Sequence, residues 1–134
     1  MKTFKNNTVF LRYIALCLGS CLLITGALAE EKAKVIPYEF EELAVEDVSY
    51  KGTPRRVMRI RLKTEGKPTE ERMIKTAKKI LATQQREWKE FTVFMIYGKM
   101  KNFNFGAYGV AEFRLKGLHG FKTYESNYEI WENR

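Results

Sequence analysis

An uncharged run from Tyr13 to Ala29, bordered by charge on both sides, fixes how much of this 134-residue chain is left to fold in water. Lys2, Lys5 and Arg12 precede it, no acid occurs before Glu30, and it ends Ala27-Leu28-Ala29 ahead of Glu30-Glu31. A basic start, an apolar middle and small residues at −3 and −1 of the junction form the pattern of a secretory signal peptide. We therefore expect residues 1–29 to be a signal peptide cleaved after Ala29, and the product to be periplasmic or secreted. The run is short for a spanning helix, which needs ~20 apolar residues, so membrane attachment is expected only if the signal stays uncleaved or Cys21 is lipidated. The second route has its own motif: Leu18-Gly19-Ser20-Cys21 is similar to a lipoprotein box, which makes a lipoprotein anchored at Cys21 the alternative. Against it, Leu22-Leu23-Ile24 carries the apolar core past that cysteine.

Both cysteines, Cys17 and Cys21, lie inside this run. The product must then hold together by packing alone, although its compartment permits disulfides. About 105 residues suffice for one domain with a sizeable core. We divide the chain into the signal (1–29), a flexible tether (30–39) and a single α+β domain (40–134).

Removing the three leader cations lowers the net charge from +8 to +5. What remains is unevenly placed: residues 30–50 are acidic, residues 51–81 strongly basic, and the rest nearly balanced. An acidic entry followed by a basic centre implies self-complementary pairing or an acidic partner, set against the plainer reading of a mixed solvated surface.

Alternation dominates the first half of the domain. Phe40 to Tyr50 reads as a strand, Lys51-Gly52-Thr53-Pro54 as a turn, and Arg55 to Lys63 as a half-buried strand. Met58, Ile60 and Leu62 lie on one face of that strand, with Arg55, Arg59 and Arg61 on the other. The breaker Glu65-Gly66-Lys67-Pro68 leads to Thr69 as helix N-cap, with Glu70 and Glu71 where the helix dipole favours acids. The helix is expected to reach Arg86 or Trp88, with Met73, Ala77, Ile80, Leu81 and Trp88 on its apolar side. Phe91 to Tyr97 is a nearly continuous apolar run and reads as a central strand buried on both faces. Residues 98–107 read as a loop, Tyr108 to Leu115 as a strand, and Gly117-Leu118-His119-Gly120 as a turn. Tyr124, Tyr128 and Ile130 suggest a fifth, edge strand. The order predicts a two-layer α+β sandwich: a mainly antiparallel sheet of four or five strands with one amphipathic helix on one face.

Glu46-Asp47-Val48-Ser49-Tyr50, Gly52, Arg55 or Arg56 opening a strand, a Thr-Glu-Glu helix start and the Phe-Met-Ile-Tyr strand together resemble a small family of exported or lipid-anchored bacterial domains of unknown function. The likeness spans residues 45 to 115. It implies a strand-strand-helix-strand-strand core and lends no catalytic residue.

The sequence offers little for catalysis. His119 is the single histidine, a metal site normally needs His or Cys partners, and we expect no metal and no cofactor. Glu46 and Asp47 point to opposite faces of a strand and make a poor carboxylate pair; Asp47 suits a turn bond or a pair with Arg55 or Arg56. Nucleophile elbow, phosphate loop and dinucleotide fingerprint do not occur. Lys101-Asn102-Phe103-Asn104-Phe105 and Tyr108 have the aromatic and basic character that stacks bases, but an exported chain seldom meets nucleic acid and none is expected. The reading is a binding or interaction module of the cell envelope, non-catalytic, with a protein or envelope partner of acidic character. Arg59, Arg61, Phe103, Phe105 and Tyr108 are the expected contacts. The alternative is a small periplasmic enzyme of hydrolase type using acids and a tyrosine.

Overall fold

In a computed structural model of the chain, residues 33–115 and 117–134 are described. The signal, its Ala29 junction and the Cys21 alternative lie outside them. Val35–Arg134 form one compact unit. Five strands and two helices follow one another: β1 (Phe40–Asp47), β2 (Arg55–Leu62), α1 (Glu70–Ala82), β3 (Glu90–Tyr97), β4 (Gly109–Arg114), β5 (Gly117–Thr123) and α2 (Glu125–Glu132). The fold is α+β. One sheet in the order β1-β2-β3-β4-β5 has antiparallel neighbours except β2 and β3, which run parallel. A parallel pair needs a crossover connection, and α1 supplies it.

Register assigns the two faces. Met58, Ile60 and Leu62 stand beside Val93, Met95 and Tyr97, and Phe91 and Val93 stand beside Phe113 and Ala111. These side chains form the core with Met73, Ala77 and Ile80 of α1, which lies against β4 and β5. The opposite face carries Arg55, Val57, Arg59 and Arg61 of β2 beside Glu90, Thr92, Phe94 and Ile96 of β3.

β3 is therefore not buried on both faces along its length, as its apolar run suggests. Thr92 and Phe94 stay half-exposed, and only Ile96 on that side is fully buried. The 98–107 loop accounts for the difference. The Arg61 guanidinium, on the open face, donates to the Lys101 carbonyl at 2.7 Å, so the loop folds back over the Ile96 end of that face alone.

α1 stops at Ala82, short of Arg86 or Trp88. Ile80's carbonyl accepts from Thr83 Oγ1 at 2.7 Å and from Gln84 Nε2 at 3.1 Å. These side-chain bonds occupy a carbonyl of the last turn and end the helix without glycine or proline. Trp88 is freed from helical geometry and enters the core ahead of β3. At the other end Thr69 is the N-cap residue, though its side chain makes no capping bond.

Within the span expected as a tether, the backbone from Ile36 is tied to α1. Tyr38 N–H donates to Thr76 Oγ1 at 2.8 Å, and Arg72 Nε donates to the Ile36 carbonyl at 2.8 Å. The C-terminal reading also shifts. Gly117 to Gly120 begins β5 and is not a turn. Tyr128 and Ile130 sit on α2, a second helix beyond the one expected. Tyr128 stacks on Tyr97 with ring centroids 4.6 Å apart and 6° between planes.

Each edge strand carries a bulge. Leu43 interrupts the pairing of β1 between Glu42 and Ala44, and His119 interrupts β5 between Leu118 and Gly120. Bulges on exposed edges discourage pairing with another sheet.

Candidate functional site

The residues expected to meet a partner were the arginines of the open face and the aromatics of the 98–107 loop. The structure engages most of them within the chain. Arg59 pairs with Glu46 on β1. Arg61 Nε lies 3.9 Å from Glu41, its register partner, besides the bond to Lys101. Arg55 Nε lies 2.9 Å from Glu90 Oε2, close enough for an ion pair although off the line of a good hydrogen bond. The acidic entry and basic centre of the sequence are thus neighbouring strands, with acids facing arginines across the sheet.

Phe103 and Phe105 are half-buried. Phe103 packs on the core, and Phe105 stands edge-on to Trp131 at 5.2 Å under the Arg134 guanidinium. Tyr108 is buried and offers no contact surface; it lies edge-on to Tyr97 at 4.7 Å. Burial pushes the phenol pKa of both tyrosines up, most strongly for Tyr97. They stay protonated at neutral pH, which does not suit a tyrosine nucleophile or base.

Asp47 takes the turn role. Its Oδ1 accepts the Ser49 N–H at 3.0 Å and the Ser49 hydroxyl, and its Oδ2 lies 3.6 Å from Arg86 Nη1. The pair with Arg55 or Arg56 does not form; the partner is Arg86, from a segment that sequence spacing placed on the helix. The Ser49 hydroxyl and backbone bonds, with lesser help from Arg86 and Arg56, hold the Asp47 carboxyl below its ordinary range.

A pocket of about 350 Å³ borders Arg61, lined also by Leu62, Lys63, Thr64, Glu65 and Gly98; another concavity lies away from the expected contacts. A groove of about 520 Å³ opens between the end of α1, the 83–88 segment and the β4–β5 hairpin. It exists because α1 ends early and leaves the lower part of β4 and β5 uncovered. Leu81, Ala82, Trp88, Phe113 and Leu118 give it an apolar lining, and Lys78, Gln84, Gln85, Arg86 and Glu87 a polar one. Trp88 is the fixed part. The guanidinium carbon of Arg86 lies 4.7 Å from its ring centroid and that of Arg56 5.1 Å, and Arg56 Nη1 donates to Gln84 Oε1 at 3.1 Å. Two guanidiniums on one indole hold the ring by cation–π attraction. Its Nε1 is buried without a hydrogen-bond partner. Gln84 is occupied at both ends of its amide, whereas Lys78 and Gln85 make no side-chain bond among the described residues, so their polar atoms face solvent.

Sequence reasoning missed this groove because it kept residues 83–88 helical. The available signal was the polar run Thr83-Gln84-Gln85-Arg86-Glu87, which holds no apolar residue where a helix packed on a sheet would need one.

Fold and groove together describe a small α+β domain with a laterally open, apolar cleft at one end of its sheet, its rim carrying Lys78, Arg86 and Glu87. No protein-family model, curated protein or solved structure matches the chain. Among the described residues no cluster of three or more His, Cys, Asp and Glu is placed to hold a metal ion, and no helix is long and apolar enough to cross a membrane.

Proposed function

We propose that this chain is an exported module of the cell envelope, periplasmic or secreted, that binds a partner protein in the groove beside Trp88 and does not turn it over. The observation that carries the reading is the make-up of that groove. An apolar floor anchored by a buried tryptophan, with Lys78 and Arg86 at the rim, is equipped to hold an apolar side chain next to an acidic one. Lys78, a rim cation with no ion pair among the described residues, supports the acidic partner that the sequence suggested and moves the contact to the cleft, because Arg59 and Arg61 already face acids of β1 and Arg86 is shared with Asp47.

A photo-crosslinking residue at Gln85, on the rim, tests this in cells. We expect an adduct with an envelope protein from position 85 and none from Glu42 on β1, with the chain recovered in the envelope or medium. Equal adducts from both positions, or a chain confined to the cytoplasm, would overturn the proposal. Turnover of a hydrolase substrate that is lost on Trp88→Ala would replace it with the enzyme reading.

A further inference from the structure

The hairpin β1–β2, the 83–89 segment and the hairpin β4–β5 all meet at one end of the sheet. Hydrogen bonds tie them side by side: Lys89 N–H donates to the Pro54 carbonyl at 3.0 Å, and Leu115 N–H donates to the Lys89 carbonyl at 3.1 Å. Three large apolar side chains stand exposed on this end, Val48 at 43%, Tyr50 at 62% and Leu115 at 77%. Leu115 is the most exposed large apolar residue described.

Their backbone makes the exposure notable. The two non-glycine residues described with positive φ are Lys51 and Leu115, both at 47°, and both are at these turn tips. Tight hairpins take Gly, Asn or Asp at such positions, where they cost little. A branched leucine held in the left-handed region, with its side chain in water, serves neither the turn nor the core. A local rule broken this way marks a position kept for what its side chain does.

Charge surrounds the apolar tips. Lys51, with its ammonium 5.2 Å from the Tyr50 ring centroid, Lys89 and Arg114 are exposed here, and none of the three forms an ion pair among the described residues. Arg55, Arg56 and Arg86 lie just behind. The acids at this end are Asp47, Glu87 and Glu90; Asp47 is held by Ser49 and Arg86, and Glu90 by Arg55. Aliphatic tips, a tyrosine at their level and a ring of cations are the elements with which a protein seats itself at the interface of an anionic bilayer.

We infer that this end of the sheet docks on a membrane surface carrying anionic headgroups. Leu115 and Val48 enter the acyl boundary, Tyr50 lies at headgroup level, and Lys51, Lys89 and Arg114 face the phosphates. None of these residues lines the groove, so the docking and the partner binding fail or stand separately.

The test uses the exported product, residues 30–134, which contains no cysteine and includes the whole compact unit, with an environment-sensitive fluorophore on Leu115→Cys and the same label on Leu43→Cys as control. With vesicles of phosphatidylcholine and phosphatidylglycerol we expect a blue-shifted, brighter signal at 115, none at 43, and none at either position with phosphatidylcholine alone. Each cation removed near such a surface lowers binding about five-fold, so Lys51→Gln, Lys89→Gln and Arg114→Gln combined lower it about 100-fold with the fold unchanged by circular dichroism. Equal responses at 115 and 43, equal binding to neutral vesicles, unaltered binding by the triple variant, or cross-linking of position 115 to a protein instead of lipid would overturn the inference.

Discussion

Thr76→Val is the sharpest test of how the start of the domain is held. Thr76 is fully buried on α1. Its Oγ1 accepts the Tyr38 N–H at 2.8 Å and donates to the Arg72 carbonyl at 2.7 Å. Valine has nearly the same shape and a similar helix propensity, so packing and helix stability change little. The Arg72 carbonyl loses only its extra, back-bonding hydroxyl. The Tyr38 N–H loses its partner inside the protein, at a cost of about 1–3 kcal/mol. We expect a loss of about 2 kcal/mol in urea unfolding, or roughly 10 °C in Tm for a domain of this size. Thr76→Ser keeps both bonds and gives up one buried methyl, about 1 kcal/mol. Native-state hydrogen exchange supplies the local readout: the Tyr38 amide should lose protection in Val and keep it in Ser. Valine within about 0.5 kcal/mol of wild type, with Tyr38 still protected, would refute the view that this bond ties residues 36–38 to the helix.

Asp47 has a lowered pKa in the folded state, so its contribution is present above the ordinary aspartate range and is lost as pH falls through the folded value. Asp47→Asn should shrink the stability difference between about pH 6 and pH 3 in urea melts, and an unchanged difference would count against the Ser49 bonds. Tyr97 has a raised pKa from burial, so the neutral phenol's contribution is complete below about pH 10 and declines as pH rises beyond the ordinary tyrosine value. Tyr97→Phe should flatten the alkaline loss of stability, read by circular dichroism. Leu115→Asn should raise stability in solution by up to about 1 kcal/mol, because asparagine tolerates the left-handed backbone better than leucine; a loss of stability in thermal melts would mean that Leu115 supports the fold itself.

Period-two alternation made β2 and its apolar face legible, because a half-buried strand writes its environment into every second residue. β3 was harder. Its run Phe91 to Tyr97 looks buried throughout, yet the open-face positions Thr92 and Phe94 are only partly covered. Apolar and aromatic residues at half-exposed sites mimic a buried strand, and only the fold-back of the 98–107 loop separates the two cases. The end of α1 was hidden for another reason. Thr83 and Gln84 stop the helix with side-chain bonds to Ile80, a device that carries no glycine or proline. At the C-terminus, Tyr124, Tyr128 and Ile130 fit alternation as well as they fit a short helix, so a local pattern could not choose. The groove depended on two of these hidden features, the early end of α1 and the position of β5, and so was not available from sequence.

The exposed apolar tips and the groove gather at one end of the sheet. Both lateral edges carry bulges, at Leu43 and His119, and the open face is closed electrostatically by Arg55, Arg59 and Arg61 against Glu90, Glu46 and Glu41. α1 covers much of the other face, and α2 is linked to it through the Tyr97–Tyr128 stack. The end that gathers residues 48–54, 83–89 and 114–118 is different. It exposes Val48, Tyr50 and Leu115, holds two left-handed non-glycine residues, and opens into the groove at Trp88. A chain selected only to fold and stay soluble would place Gly or Asn at position 115 and a polar residue at position 50. Defended edges beside an undefended end suit a domain that presents one end to its surroundings, where the exposed tips and the groove are adjacent but built from separate residues.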